Sequence, residues 1–239
     1  MSALEDLLDV QDHDLRIDQL RHRKATLPEK AELTELHQRR AAIEATRNDV
    51  AGRRDEVAAR QEHAEQEIAA AEKRIGEIDS RMRSGAVTAS RDLQAMQGEV
   101  DSIRQRVSAF EDEALAAMDE REPLDAEIEG YDAQLAALDD SAAALHEKIA
   151  AAEAEIDGEI EAEQHARAGA AEKVPAELAA TYEKLRARLG GIGAARLDGN
   201  RCSGCHLTLP ATELDRIRHQ PPDTLFHCEQ CGRILVRTS

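Results

Sequence analysis

The sequence predicts a mainly α protein: a long antiparallel coiled-coil helical hairpin followed by a small, β-rich C-terminal module. Three observations predict it. Apolar residues recur every seven positions through two stretches of similar length. A short Gly/Ser hinge separates those stretches. The chain has 239 residues, of which 33% are charged and 2% aromatic, so it has little to fill a broad globular core.

The first arm carries one unbroken apolar seam: Leu36, Ile43, Val50, Val57, Ala64, Ala71 and Ile78. Its companion seam is apolar at Leu33, polar at Arg40, Arg47, Arg54 and Gln61, and apolar again at Ile68, Ile75 and Met82. The second arm is more regular. One seam runs from Leu93 through Val100, Val107 and Ala114 to Ile156, and the other from Met96 through Ile103, Phe110 and Ala117 to Ala152. Only Arg121 interrupts it. Gly85 can end a helix in the left-handed region, and Ser90 can cap the next. The turn is therefore expected near residues 83–90, with the hairpin covering 1–170.

Charge favours this pairing over self-association of the acidic arm. Residues 16–60 hold eleven Lys/Arg against eight Asp/Glu, and residues 111–163 hold two against nineteen. Folding about Gly85 sets one stretch against the other. Each exposed pair contributes little alone, but the whole face selects the register. Pro123 lies inside the second arm, beside Arg121 and across from Gly52, so a bend or break is expected there. Pro28 should open a new helix after Leu27. Leu178, Tyr182, Leu185 and Leu189 follow Pro175 at helical spacing and stop at Gly190-Gly191, which makes residues 171–195 a short helix and linker.

All four cysteines lie in the tail, as Cys202-Ser-Gly-Cys205 and Cys228-Glu-Gln-Cys231. A CxxC turn aims two sulfurs at one ion, and two such turns close a tetrahedral thiolate shell around Zn²⁺. Residues 196–239 therefore read as a C4 zinc ribbon holding one structural zinc. The small module cannot bury enough core to stand alone, so the metal supplies folding energy. Short strands are expected at Leu207–Leu209 and Arg233–Val236, a hairpin turn at Asp198-Gly199-Asn200, and a helical turn or two at Thr212–Arg218. Gly204 and Gly232 are expected to supply knuckle conformations closed to other residues. Two disulfides would need an oxidising compartment, and a redox CxxC would need a βαβ setting that is missing. Four thiolates leave no open position for a catalytic zinc. His206, His219 and His227 read as surface histidines, although His227 could replace a sulfur. Iron–sulfur ligation is the other metal reading.

Val174-Pro-x-Glu-Leu-x-x-x-Tyr-Glu-x-Leu185, the Cys202/Cys205 pair, the segment Arg91-Asp-Leu-Gln-Ala-Met-Gln-Gly-Glu99 after the turn, and Cys228-Glu-Gln-Cys-Gly-Arg-Ile-Leu235 together resemble bacterial C4-type zinc-ribbon coiled-coil proteins. The resemblance spans the chain. It implies zinc on the four cysteines, no enzymatic activity, and roles in flagellar or secretion regulation through RNA-polymerase sigma-factor partners or in RNA binding.

The residues themselves support a non-enzymatic adaptor that binds protein partners, with Met82, Val87, Leu93 and Met96 at the hairpin tip as candidate contacts. The alternative is RNA or DNA binding through the ribbon, with Arg196, Arg201, Arg216, Arg218, Arg233 and Arg237 on phosphates. The net charge of −18 lies in residues 1–196, which confines any such contact to the tail. There is no nucleophile motif and no phosphate-binding loop. The N-terminus lacks a signal-like apolar run and no stretch is long enough to span a membrane. A cytoplasmic monomer or homodimer is expected.

Overall fold

The computed structural model describes residues 2–221 and 223–237; Met1, Pro222, Thr238 and Ser239, at the margins of the expected hairpin and within the expected ribbon, lie outside it. Helix α1 spans Ala3–Ala25, α2 Pro28–Arg83, α3 Ser90–Ala171, α4 Ala176–Arg188 and α5 Ala211–Arg218. The strands are β1 (Ala194–Asp198), β2 (Arg201–Cys202), β3 (Phe226–His227) and β4 (Ile234–Arg237). Two compact units result: residues 32–144 form one, and residues 1–31 with 145–239 form the other. Among the described residues no helix is long and apolar enough to cross a membrane.

The unit of residues 32–144 is the heptad hairpin. Val50 and Val57 of α2 pack with Ala117, Leu124 and Ile128 of α3. The polar stretch of the second seam is also half-buried, and its partners explain it. Arg40 reaches Asp139 at 2.7 Å, Arg47 reaches Asp132 at 3.0 Å and Arg54 reaches Asp125 at 3.1 Å. Each heptad forward on α2 meets a heptad backward on α3. The arginines lay their methylenes along the seam and pair at its edge. Where the ladder ends, Gln61 accepts from Arg121 at 2.9 Å, so one seam interruption is matched with the other.

Of the bend or break expected at Pro123, the break does not occur: α3 runs through that residue to Ala171. The lost donor and the crowding of its ring cost about 3 kcal/mol, which the burial of Ala117, Leu124 and Ile128 on either side offsets. At the turn, Gly85 has φ +71°, as its place after α2 demands. Ser90 is the first helical residue rather than the cap: the carbonyl of Ala89 receives the N–H groups of Asp92 and Leu93. Pro28 opens α2, as expected.

In the other unit, α1 begins with a capping box in which Ser2 and Glu5 bond reciprocally. Its Leu4, Leu7, Leu8 and Val10 share a core with Val174, Tyr182 and Leu185 around α4 and with Ala194, Ile234 and Val236 of the sheet. Lower on α1, Leu20 packs with Leu27 and Ile156. The polar residues of α1 are as important. Buried Asp14 accepts from Arg167 at 2.7 and 3.2 Å and from the Tyr182 hydroxyl at 2.6 Å. Arg186 lies 3.4 Å from the same carboxylate and donates to Asp18 at 2.7 Å. Buried Gln11 accepts from the Gly193 and Ala194 amides at 2.7 and 3.2 Å and donates to the Gly191 carbonyl at 3.0 Å. A side chain at Gly193 would meet Tyr182 at 2.8 Å, so the linker needs a glycine there.

Burial first, and the Asp14 carboxylate second, push the Tyr182 phenol above its ordinary range. A phenol held protonated in the folded state stabilises fully below the unfolded value of about 10. That stability is lost as pH rises beyond it, because the unfolded chain can then release the proton. Denaturation midpoints should therefore fall above pH ~10 in the native protein and fall less in Tyr182→Phe.

Candidate metal centre

The strand order is β2-β1-β4-β3. β1 and β4 pair in parallel at the centre, from Ala194 opposite Ile234 to Leu197 opposite Arg237. β2 and β3 are antiparallel edges of two residues each. Such short edges offer little template for further strand pairing. The turn Gly199-Asn200 joins β1 to β2, with Gly199 at φ +62°. β1 was not anticipated, and the expected strand Leu207–Leu209 is instead a single bridge between Arg201 and Thr208. The cause is Pro210, which cannot extend a ladder there.

The two CxxC turns are built alike. The His206 amide donates to the Cys202 carbonyl at 2.8 Å and the Gly232 amide to the Cys228 carbonyl at 2.7 Å. The Cys202 amide then donates to the Leu207 carbonyl at 3.1 Å, and the Cys228 amide to the Arg233 carbonyl at 2.9 Å. Each turn needs a residue at positive φ four places after its first cysteine. Gly232 supplies it at +74° and His206 at +59°. Gly204 has a different reason from the one expected. It takes no left-handed conformation; a Cβ there would meet Arg233 at 2.5 Å and Ala195 at 3.0 Å.

The four Sγ atoms lie within 4.8 Å of one another. Cys202 faces Cys231 and Cys205 faces Cys228, each pair at 3.9 Å. That is too long for a disulfide, whose sulfurs stand about 2 Å apart. It matches the edge of a tetrahedron of sulfurs about 2.3 Å from a central zinc, roughly 3.8 Å. The four thiols are free, two buried and two half-buried. Burial pushes the Cys202 thiol up and the Cys228 thiol up to about 12, against the amides that point at them from Gly204, Cys205, Gln230 and Cys231. Burial also opposes ionisation of Cys231, but the Arg233 amide and side chain draw it down to about 7. A cation among the sulfurs favours all four thiolates at once. The set fits one structural zinc with no open coordination position. His227 is exposed and its Nδ1 lies 3.2 Å from the Gly232 carbonyl, outside the sulfur cluster.

Ala195, Leu197, Leu209, Leu214, Ile217 and Leu235 surround Cys202 and Cys228 as a small apolar core. Glu213 of α5 is 5% exposed beside the second turn, and burial raises its carboxyl. The six arginines proposed for phosphates are mostly engaged. Arg196 pairs with Asp12 at 2.6 Å and Arg216 with Glu229 at 3.4 Å. Arg201 donates to the His206 carbonyl at 3.0 Å, and Arg233 to the carbonyls of Ile192 and Leu189 at 3.0 and 3.1 Å. Arg237 caps the end of α5 through the carbonyls of Ile217 and Gln220 at 2.7 and 3.1 Å. Among the described residues, Arg218 alone of the six has no such partner. The tip residues Met82, Val87, Leu93 and Met96 are each half-buried.

Sequence reasoning missed Gln11, Asp14, Glu213 and the left-handed His206. The last was within reach, because His206 stands where Gly232 stands in the second turn.

Comparison with known proteins places this geometry. Residues 10–190 match the CT398-like coiled coil hairpin domain, and residues 201–235 match the C4-type zinc ribbon domain. The chain is 30% identical over 238 residues to the uncharacterized protein Rv2229c of Mycobacterium tuberculosis, covering 97% of this chain and 94% of that one. A solved structure from Mycobacterium smegmatis is 27% identical, with a TM-score of 0.78 over 99% of this chain and 97% of that one. CT398 from Chlamydia trachomatis shares the fold at 24% identity, with a TM-score of 0.60 over 99% of this chain and 98% of that one.

Proposed function

The chain belongs to the family of CT398-like coiled coil hairpins that carry a C4-type zinc ribbon, and on that premise we propose that it is a non-enzymatic, zinc-bearing adaptor or regulator that binds protein partners. One observation carries the reading. The four sulfurs close a coordination shell with no position for substrate, so the metal holds a shape rather than performing a reaction. The rest of the chain is long helical surface, which suits display and recognition. Apolar Met82, Val87, Leu93 and Met96 sit by the turn and are the contacts of this reading. It works in the cytoplasm, where thiols stay reduced and available to the metal, as a monomer or homodimer.

The test is photo-crosslinking in the native host. A crosslinking residue is placed at exposed Ala86 beside the turn and, separately, at Arg218 on the ribbon. Discrete protein adducts from Ala86 are the expected result. Nuclease-sensitive adducts from Arg218, with none from Ala86, would replace the adaptor with a nucleic-acid binder.

A further inference from the structure

We propose that the face of α3 around Leu115 and Met118 docks a basic amphipathic helix of a partner protein. The inference rests on the adaptor reading but uses a different surface from the tip.

Leu115 is 59% exposed and Met118 47% exposed, three positions apart on one helix face, while their neighbours Ala114 and Ala117 are buried in the seam. Met118 is also out of place for the hairpin. Asp139, Asp132 and Asp125 recur every seven residues and meet Arg40, Arg47 and Arg54. The next position in that series is Met118. Its counterpart on α2, Gln61, is already taken by Arg121. Met118 meets no arginine across the hairpin and leaves 47% of its surface exposed, and an adaptable thioether beside a leucine suits a partner's apolar ridge.

The surroundings select the sign of that partner. A shallow groove of about 450 Å³ runs on from Met118, lined by Asp119, Glu122, Ala126 and Glu129 among others. The carboxylates of Asp119, Glu122 and Glu129 have no ion-pair partner among the described residues. The carbonyl of Asp119 has lost its helical donor as well, since Pro123 has no N–H. Arg121, the cation in this stretch, is committed to Gln61 and Asp125. The surface is thus two apolar anchors among acceptors. A second copy docking symmetrically would bring these carboxylates against themselves, and nucleic acid would be repelled. A helix with apolar residues at i and i+3 or i+4, flanked by Lys and Arg, satisfies both features.

The experiment measures fluorescence anisotropy of a labelled helical Leu/Ala/Lys peptide on the full-length protein, with a Glu-flanked version as control. Wild type should bind the Lys-flanked peptide, more weakly at higher salt. The double variant Leu115→Glu, Met118→Glu should lose at least about tenfold in affinity. Those substitutions add negative charge, so simple electrostatic attraction would strengthen instead. Circular dichroism should show the helices intact, as the exposure of both positions requires, and Val87→Glu at the tip should bind as wild type does. No binding by wild type, equal binding by the double variant, or equal binding of the Glu-flanked peptide would overturn the proposal. So would a dimer, detected by light scattering, that the double variant dissolves. Ala86 adducts without peptide binding here would sink this surface and leave the adaptor standing.

Discussion

Replacing Cys228 with serine should cost the protein its zinc and unfold the ribbon while the hairpin of residues 32–144 stays helical. Cys228 is 1% exposed and faces Cys205 across the cluster, so neither water nor a neighbouring group can take its place. A structural zinc supplies on the order of 10 kcal/mol of folding energy to a small C4 module. The apolar residues around Cys202 and Cys228 are too few to replace that. Zinc per chain, measured with a chromogenic chelator after denaturation, should fall from one to near zero. Hydrogen exchange should rise in β1 and β4. It should also rise in α1 and α4, because Ala194, Ile234 and Val236 are part of their shared core. Helical content should change little, since α2 and α3 hold most of it. A variant that retains zinc and keeps β1 and β4 protected would refute the four-sulfur site.

The second large effect is expected at Asp14. Asp14→Ala removes the acceptor of Arg167 and of the Tyr182 hydroxyl and the carboxylate 3.4 Å from Arg186; Arg167 keeps Glu183 and Arg186 keeps Asp18, but the buried phenol is left facing an apolar gap. Removing one member of a buried ion pair costs about 3–5 kcal/mol. The low end applies, about 3 kcal/mol, because the Arg167 and Arg186 side chains keep 26% and 21% of their exposure. Tyr182→Phe loses one hydrogen bond and should cost about 1 kcal/mol. Urea midpoints followed by exchange of α4 amides separate the two. Equal losses in both variants would mean that the phenol, not the carboxylate, organises the joint.

The legible parts of this molecule were those with a period or a spacing. Heptads drew both arms, and Gly85 and Pro28 marked their ends. Two CxxC pairs located the metal centre. The N-terminal helix was harder, because its decisive residues are polar. Gln11 and Asp14 look like any solvated helix positions until residues 167–194 arrive beside them. β1 was hidden because Ala194–Asp198 is too short to alternate and gains its partner from β4. The break expected at Pro123 failed in the other direction, since a local rule gave way to packing on both sides. The partners of the ribbon arginines were hidden for a related reason. Composition counts positive charge, but Arg201, Arg233 and Arg237 spend theirs on backbone carbonyls.

The parallel pairing of β1 with β4 has a kinetic consequence. β4 is translated after every other described element, yet it belongs at the centre of the sheet. Gln11 likewise waits for Gly193, 182 positions later. Contacts near Gly85 close short loops and can zip as soon as α3 leaves the ribosome, whereas these distant ones must close long loops and come last. Cys202 and Cys205 are made before Cys228 and Cys231, so the first turn holds only half of the four-sulfur set until the second is in place.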